Sequence, residues 1–169
     1  MFITANAINS TLSYSKNNIV GSVDITAIDT KKIGMGLEIG YKYNKNYFTT
    51  LNYQELNFVD TSFVDYFITM NYQFNNIRYK PFIGAIVGRS NMKWDKYPIV
   101  ATIIDDKVSD TFAGLQAGVE HPINKKVSFM ITYQHLEIDH ITYLNTPSAK
   151  SKIINDNLKN LLLGIRYLF

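Results

Sequence analysis

The clearest pattern in this chain is an alternation of apolar and polar positions with a period of two, which predicts β-strands. It is strongest over the last nine residues, where one face of the predicted strand carries Leu161, Leu163, Ile165, Tyr167 and Phe169. The opposite face carries Leu162, Gly164, Arg166 and Leu168. A strand with one wholly apolar and aromatic face, and with glycine and arginine on the other, is unusual in a soluble sheet. It suits a strand with lipid outside and a packed polar lumen inside.

The same alternation recurs along the chain and predicts eight strands, at 2–14, 33–43, 47–54, 64–74, 77–88, 111–120, 127–134 and 161–169. Tight turns are predicted at 44–46, 75–76 and 121–125, and longer loops at 15–30, 56–62, 89–110 and 136–156. Pro81 cannot donate a hydrogen bond to a neighbouring strand, so we expect a bulge there or a strand that starts after it. Short turns on one side and long loops on the other are typical of outer-membrane barrels, and an even strand number places both termini on the turn side.

The volume of the lumen predicts whether lipid or water surrounds the barrel. Each clear strand has one fully apolar face and one face of glycine, amide and charged residues. The rival fold is a soluble eight-stranded barrel of the lipocalin type, which encloses an apolar interior. An eight-stranded lumen lacks the volume for about six large side chains per strand, so the apolar faces point outward to lipid. With 169 residues, the chain is predicted to form a single domain, 1–169, that is an all-β, eight-stranded, antiparallel, up-and-down transmembrane β-barrel.

The C-terminal segment carries a resemblance to a known family. A chain that stops at Phe169, with apolar or aromatic residues at Leu163, Ile165 and Tyr167, resembles the C-terminal signal of bacterial outer-membrane β-barrels. In that family the segment is read by the barrel assembly machinery. Together with Lys80–Ala85 and Ala113–Glu120, it makes the whole chain similar to small eight-stranded barrels of the OmpA/OmpX type, without a periplasmic domain.

The resemblance implies an integral protein of the outer membrane of a Gram-negative bacterium, surrounded by lipid, with a porin-like fold. Its turns and both termini would be periplasmic and its loops extracellular. Residues 1–7 contain Ala5-x-Ala7, which resembles a signal-peptide cleavage site. They are either the remnant of a signal peptide or the start of the first strand, and we favour the strand because a start at Ile8 would leave it short.

Composition changes this picture little. Aromatic residues make up 14% and the mean hydropathy is −0.08, so hydropathy alone would predict a soluble protein, but barrel strands are apolar on only one face. The net charge is +3 with both signs scattered, and without a basic stripe we expect no nucleic-acid partner. There is no cysteine, which excludes disulfides and thiolate chemistry. An aromatic girdle at the periplasmic interface is predicted from Tyr41, Tyr43, Tyr47, Tyr72, Phe74, Tyr79, Tyr167 and Phe169.

Charged residues on the predicted inner faces must be paired, because buried charges persist only with partners. They are Glu38, Lys42, Asp65, Arg78, Lys80, Glu120 and Arg166. We expect a network centred on Arg166 with Glu120 and Glu38, and with Lys42 nearby. It could form a gated proton or ion path, or a plug of side chains that closes the lumen. We favour the plug, because interiors of eight-stranded barrels are filled by side chains.

The three histidines give no support for an enzyme. His121 is predicted in a turn, His135 at a strand end, and His140 in a solvated loop beside Asp139. Their spacing matches no standard metal site, so we predict no catalytic residues, no metal and no cofactor.

The segment 89–110 is unusually apolar for a loop, and Trp94, Tyr97, Ile99 and Ile103 are its candidate contact residues. We therefore predict a structural or surface protein that acts through its extracellular loops, by adhesion or by binding a surface ligand or host protein. The alternatives are a small ion-conducting pore, a lipid-modifying outer-membrane enzyme and a soluble lipocalin-like carrier. The sequence leaves open the ligand, ion conduction and the oligomeric state.

Overall fold

The computed structural model describes residues 1–20, 31–58, 61–75, 78–95, 102–103, 107–145 and 150–169, and every regular element in them is a β-strand. The strands are β1 (Phe2–Val20), β2 (Lys31–Lys42), β3 (Tyr47–Asn57), β4 (Thr61–Gln73), β5 (Lys80–Trp94), β6 (Thr102–Ile103), β7 (Lys107–Pro122), β8 (Val127–Asn145) and β9 (Lys150–Leu168). The described part of the chain contains no helix long and apolar enough to cross a membrane.

Eight long strands form a closed antiparallel barrel. Neighbours in sequence pair from β1 to β5, then β5 pairs β7, β7 pairs β8 and β8 pairs β9. The wall closes between β1 and β9, whose register runs from Phe2↔Leu168 upward. The two-residue strand β6 adds to the far end of β8. The predicted eight-stranded, all-antiparallel barrel is therefore confirmed. We call the edge with the three short connections the turn end, and the opposite edge the loop end.

The outer wall of the turn half is apolar. Ile33, Leu115 and Ile165 are 77%, 67% and 61% exposed, on three different strands. The eight aromatic residues predicted for the girdle lie around the turn end, and seven of them are among the exposed large side chains, with Tyr72 partly buried. They make edge-to-face contacts such as Tyr167–Phe169 at 5.2 Å. Both the register of the outward faces and the position of these aromatic residues follow the predicted alternation.

The apolar band ends at an outward ring of polar and charged side chains, which we call the charged ring: Lys31, Glu55, Arg89, Glu137 and Lys159. Lys31 and Lys159 both pair with Thr11 of β1. Arg89 lies two residues from Asn91, the position opposite Glu55 across β4. A membrane strand needs only about 9–11 residues. Because β1, β8 and β9 each have 19 residues, they continue well beyond the ring, and we call this part the extension.

The prediction of long loops was therefore wrong for most of their length. The predicted loop 89–110 contains the end of β5 and the start of β7, and the predicted loop 136–156 contains most of the outer half of β8 and the start of β9. Part of the reason is a bulge at Asp156, where β9 skips one residue against β1 between Asn157 and Asn155. The bulge changes which residues face inward, so the period-two pattern is interrupted although the strand continues.

Pro81 causes neither a bulge nor a delayed start. It is the second residue of β5 and pairs with Val119 in an unbroken register with β7. Its carbonyl accepts a hydrogen bond from the Phe74 amide at 2.8 Å, just outside β4. The proline is tolerated because its missing donor falls at the edge of the β4–β5 ladder.

The inner face is more apolar than the sequence predicted. Fifteen buried side chains, which we call the upper core, fill the loop half of the lumen: Ile8, Leu12, Leu56, Phe58, Phe63, Phe67, Ile86, Met92, Trp94, Phe112, Leu136, Ile138, Ile153, Leu158 and Leu162. On β8, Glu137 and Asp139 point outward while Leu136 and Ile138 are buried. The extension thus has the ordinary pattern of a soluble sheet, with its apolar face inward and its charged face outward.

Among the described residues, β7 and β8 are not paired within the extension. The β7–β8 ladder ends at Ala113↔Glu137, and no ladder joins the outer part of β7, 107–112, to residues 138–142 of β8 among these residues, while β6 pairs with β8 further out, at Leu144 and Asn145. β7 remains paired with β5 up to Lys107, and β8 remains paired with β9 up to Asn145. We call the gap the β7–β8 notch.

Candidate functional site

Four charged side chains from three strands meet inside the turn half of the barrel. Glu38 and Lys42 are four residues apart on β2, so both point inward, while Glu120 lies on β7 and Arg166 on β9. These are the residues that the sequence placed in one network. Arg166 is fully buried at 0% exposure and Glu120 is 1% exposed.

Arg166 joins the two carboxylates. Its Nη2 lies 2.6 Å from Oε1 of Glu38, and its Nη1 lies 3.1 Å from Oε2 of Glu120. Its Nε donates to the hydroxyl of Thr4 at 3.2 Å, and that hydroxyl donates to Glu38 at 2.9 Å. The guanidinium carbon sits 3.8 Å from the ring centre of Phe2. The geometry is that of a desolvated cation held by charge-assisted hydrogen bonds and by an aromatic face.

Glu120 is the most heavily shared carboxylate. In addition to Arg166, it accepts hydrogen bonds from Lys42 at 3.4 Å, Gln73 at 2.8 Å and Ser128 at 2.9 Å. These bonds occupy both of its oxygens. Two further charged residues predicted inside the barrel do not join this cluster. Arg78 is exposed in the turn before β5, so that prediction was wrong. Asp65 is buried inside the barrel, as predicted, but much nearer the loop end.

A belt of amide and hydroxyl groups crosses the lumen next to the charged cluster. It links six strands through hydrogen bonds of 2.6–3.4 Å and contains, in order, Ser10, Asn160, Gln134, Gln116, Asn71, Thr69, Thr50 and Asn52. All eight side chains are buried. The upper core lies beyond the belt, so buried hydrogen-bonded side chains and buried apolar side chains occupy successive parts of the lumen.

His140 was expected in a solvated loop, but it is buried at 0% exposure inside the extension. Its Nε2 lies 2.9 Å from the hydroxyl of Ser90, and Ser90 also hydrogen-bonds the buried carboxyl of Asp65. The Nδ1 of His140 has no hydrogen-bond partner among the described residues. Burial lowers the pKa of His140 to about 4, although the nearby carboxylates of Asp110 and Asp139 act in the opposite direction. The imidazole is therefore neutral at physiological pH.

The apolar segment predicted to be a surface loop is described only in part. Trp94 is 4% exposed and belongs to the upper core, so its side chain is not on a loop surface. Its indole nitrogen donates to the hydroxyl of Thr142 at 3.0 Å. Ile103 lies in β6, and Tyr97 and Ile99 fall outside the described residues. Trp94 keeps the inward parity of Phe82, Ile86 and Met92, so a continued period-two count along β5 would have placed it inside.

The outer face carries a shallow apolar groove of about 630 Å³, where Ala85 and Ala117 lie between the larger Met70, Leu115 and Tyr133. It lies within the apolar band, which we predict to face lipid tails, and its lining includes the histidine His135. In the described part of the chain, no three His, Asp or Glu side chains come together where they could hold a metal ion.

Comparisons with known proteins agree with this architecture. The family model described as "Outer membrane protein beta-barrel domain" matches residues 4–169. No curated protein matches the chain in sequence.

Among solved structures, neisserial surface protein A superposes with a TM-score of 0.70 at 17% identity, over 99% of this chain and 96% of that one. OprG from Pseudomonas aeruginosa gives a TM-score of 0.71 at 13% identity, over 99% and 95%. The N-terminal β-barrel domain of OprF from the same organism gives 0.51 at 13%, over 98% and 96%. At these identities the likeness shows a shared fold and not a shared activity.

Proposed function

The chain belongs to the outer membrane protein β-barrel domain family, and on that premise we propose that it is a closed outer-membrane barrel that binds a macromolecular partner at the cell surface. The observation that carries the proposal is the extension, a water-exposed continuation of the barrel with its own packed core. We orient the barrel so that the extension is extracellular, and the turns and both termini are periplasmic. Leu163, Ile165, Tyr167 and Phe169 then form the segment that the barrel assembly machinery reads.

The contacts across the extension support a rigid platform. Trp94 of β5 bonds Thr142 of β8, and Ser90 of β5 bonds His140 of β8, so polar contacts join strands that no ladder connects there. The amide of Asn155 on β9 also reaches the sulfur of Met92 at 3.0 Å. A preorganised surface loses little conformational entropy when it binds, which favours recognition of a partner.

The β7–β8 notch is the contact region that we propose within this surface. Strand edges without a partner accept an extended chain by strand addition, through backbone hydrogen bonds. Asp110 on β7 and Glu137 and Asp139 on β8 lie beside the notch and outnumber its cation, Lys107, so the notch is net negative. The partner that fits is a protein that presents an extended segment with cationic side chains.

Orientation can be tested directly because the chain has no cysteine. We expect Ser109→Cys, on the exposed side of β7, to react on intact cells with a maleimide that does not cross membranes. The matched control is Lys125→Cys in a turn, which should react only after the outer membrane is opened. The reverse labelling pattern would overturn the proposed orientation.

Partner binding can be tested by adhesion of cells that produce the barrel to surfaces coated with host or bacterial surface proteins. Glu137→Lys/Asp139→Lys should lower adhesion strongly, while Glu55→Lys, on the charged ring away from the notch, should leave it unchanged. If both variants adhere as cells without the barrel do, the notch is not the region that binds the partner.

We propose no ion conduction and no catalysis. A lumen closed by the charged cluster, the amide belt and the upper core should give no stable large conductance in planar bilayers, and a reproducible nanosiemens channel would make pore formation the function. Ser90, His140 and Asp65 are each at most 2% exposed. The serine also stands between the histidine and the aspartate, whereas a nucleophilic triad needs the histidine between the other two.

A further inference from the structure

The mouth of the barrel at the turn end contains a cavity of about 430 Å³, separate from the extension and from the lipid-facing groove. We call it the vestibule. Three lysines from three elements line it, Lys42 from β2, Lys80 from β5 and Lys125 from the β7–β8 turn, together with Glu120, Ser128 and Leu168. Its inner end is the charged cluster around Arg166.

The charges around the vestibule do not balance. Glu38 and Glu120 already bind Arg166, and Glu120 also binds Lys42. Among the described residues, neither Lys80 nor Lys125 has a carboxylate within ion-pair distance. Lys80 stands directly opposite Glu120 in the β5–β7 register, so it adds positive charge beside a carboxylate that other donors already occupy.

The imbalance extends over the whole turn end. Its cationic residues are Lys42, Lys45, Arg78, Lys80, Lys125, Lys126 and Arg166, and its only acidic side chains are Glu38 and Glu120. The excess of five positive charges at this end exceeds the net charge of +3 of the entire chain, so the rest of the molecule is net negative. Positive potential is therefore concentrated at the mouth that contains the vestibule.

The turn that carries Lys125 is held in place locally. The side-chain oxygen of Asn124 accepts hydrogen bonds from the amides of Lys126 at 2.8 Å and Val127 at 2.9 Å. This Asx-type turn fixes the backbone on either side of Lys125. The lysine is exposed at the rim, while Lys80 is half-buried further in.

We propose that the vestibule is an anion site that binds a phosphate group, with Lys80 and Lys125 as its principal ligands and Lys42 at its inner wall. Lysine ammonium groups bind phosphate as point charges, and a phosphate would supply the negative charge that the cluster lacks. The phosphate can come from the headgroup of an anionic phospholipid in the adjoining leaflet or from a soluble phosphate compound in the facing compartment. The same three lysines recognise either source.

The test uses the full chain refolded into nanodiscs of zwitterionic phosphatidylcholine. Inorganic phosphate is titrated at constant ionic strength, and backbone amide shifts of Lys125, Ser128 and Leu168 are followed by NMR. We expect saturable shifts at these positions. In Lys80→Gln/Lys125→Gln the affinity should fall about thirtyfold, because each lysine near a membrane surface contributes about a fivefold factor to the affinity.

The matched control is Lys107→Gln/Lys159→Gln, which removes the same charge from exposed positions beyond the apolar band. It should bind phosphate like the wild type. Heat-modifiable migration on gels verifies that both variants fold. If the two variants weaken binding equally, or if the wild type gives no saturable shift, the vestibule is not a phosphate site.

A second arm separates the sources of phosphate. Nanodiscs that contain phosphatidylglycerol are compared with phosphatidylcholine discs by native mass spectrometry. Retention of phosphatidylglycerol that depends on Lys80 and Lys125, and that competes with inorganic phosphate, assigns the site to a lipid headgroup. Saturable binding of inorganic phosphate without lipid retention assigns it to a soluble phosphate. Absence of both overturns the proposal.

Discussion

Replacing Arg166 with methionine tests how the charged cluster stabilises the barrel. The change removes three charge-assisted hydrogen bonds, to Glu38, Glu120 and Thr4, and leaves both carboxylates in the lumen. Breaking a buried ion pair by removal of one partner costs about 3–5 kcal/mol, because the other charge is left without compensation. The methionine keeps apolar contact with Phe2, so little packing is lost.

The remaining contacts place the expected loss near the lower end of that range. Glu120 keeps Lys42, Gln73 and Ser128 as partners. The side chain of Glu38 is 12% exposed, so it can gain some hydration. We therefore expect Arg166→Met to lower the free energy of unfolding by about 3 kcal/mol.

The assay is reversible urea unfolding in detergent micelles or liposomes at pH 8, followed by heat-modifiable migration on gels and by the fluorescence of the single tryptophan. Lys159→Met is the control, because it removes an exposed cation from the same strand and should change stability by less than about 0.5 kcal/mol. Neutralising the carboxylates in the Arg166→Met background, with Glu38→Gln and Glu120→Gln, should recover most of the loss. The reasoning is refuted if Arg166→Met stays within about 1 kcal/mol of the wild type, or if the two glutamines do not restore stability.

Three further changes test other parts of the molecule. Phe169→Asp should reduce the amount of heat-modifiable barrel in the outer membrane, because it removes the terminal aromatic side chain; an unchanged amount would count against the assembly segment. The pKa of His140 in the folded state, about 4, lies below its ordinary value of about 6.5, so the contribution of His140 to stability should be complete above pH 6.5 and fall by about 3 kcal/mol as the pH drops to 4. Burial raises the pKa of Asp65, which changes stability in the opposite direction, so the contribution of His140 is measured as the pH-dependent difference between the wild type and His140→Gln, with the fluorescence of Trp94 as the signal; a difference that does not change with pH would contradict the buried neutral imidazole. Gly40→Ala should cost about 1–3 kcal/mol because its methyl group would overlap the ring of Phe2, whereas Gly36→Ala meets mainly the flexible end of Ile8 at 3.1 Å and should cost less; equal losses would contradict the packing at Phe2.

The period-two pattern by itself determined the fold and the outward face. Lipid accepts only apolar side chains on the outer wall, so residues such as Ile33, Leu115 and Ile165 had to alternate with inward residues, and that constraint is local and visible in sequence. The same parity placed Glu38, Lys42, Glu120 and Arg166 inside. Their meeting then required only that the strands close into a narrow barrel, because all four lie near the turn end.

The tertiary structure alone decided how far the strands extend and what fills their outer halves. Beyond the charged ring the outside is water, so the apolar face turns inward, and side chains such as Trp94 and His140 look like loop residues when only the lipid pattern is sought. A single bulged residue, Asp156, shifts the parity of β9 and interrupts the pattern at the point where the strand continues. Period two identifies a face but not its solvent, since an apolar face is stable against lipid outside and against a packed core inside. Only the register of the eight strands determines the position along the barrel axis at which the surroundings change from lipid to water.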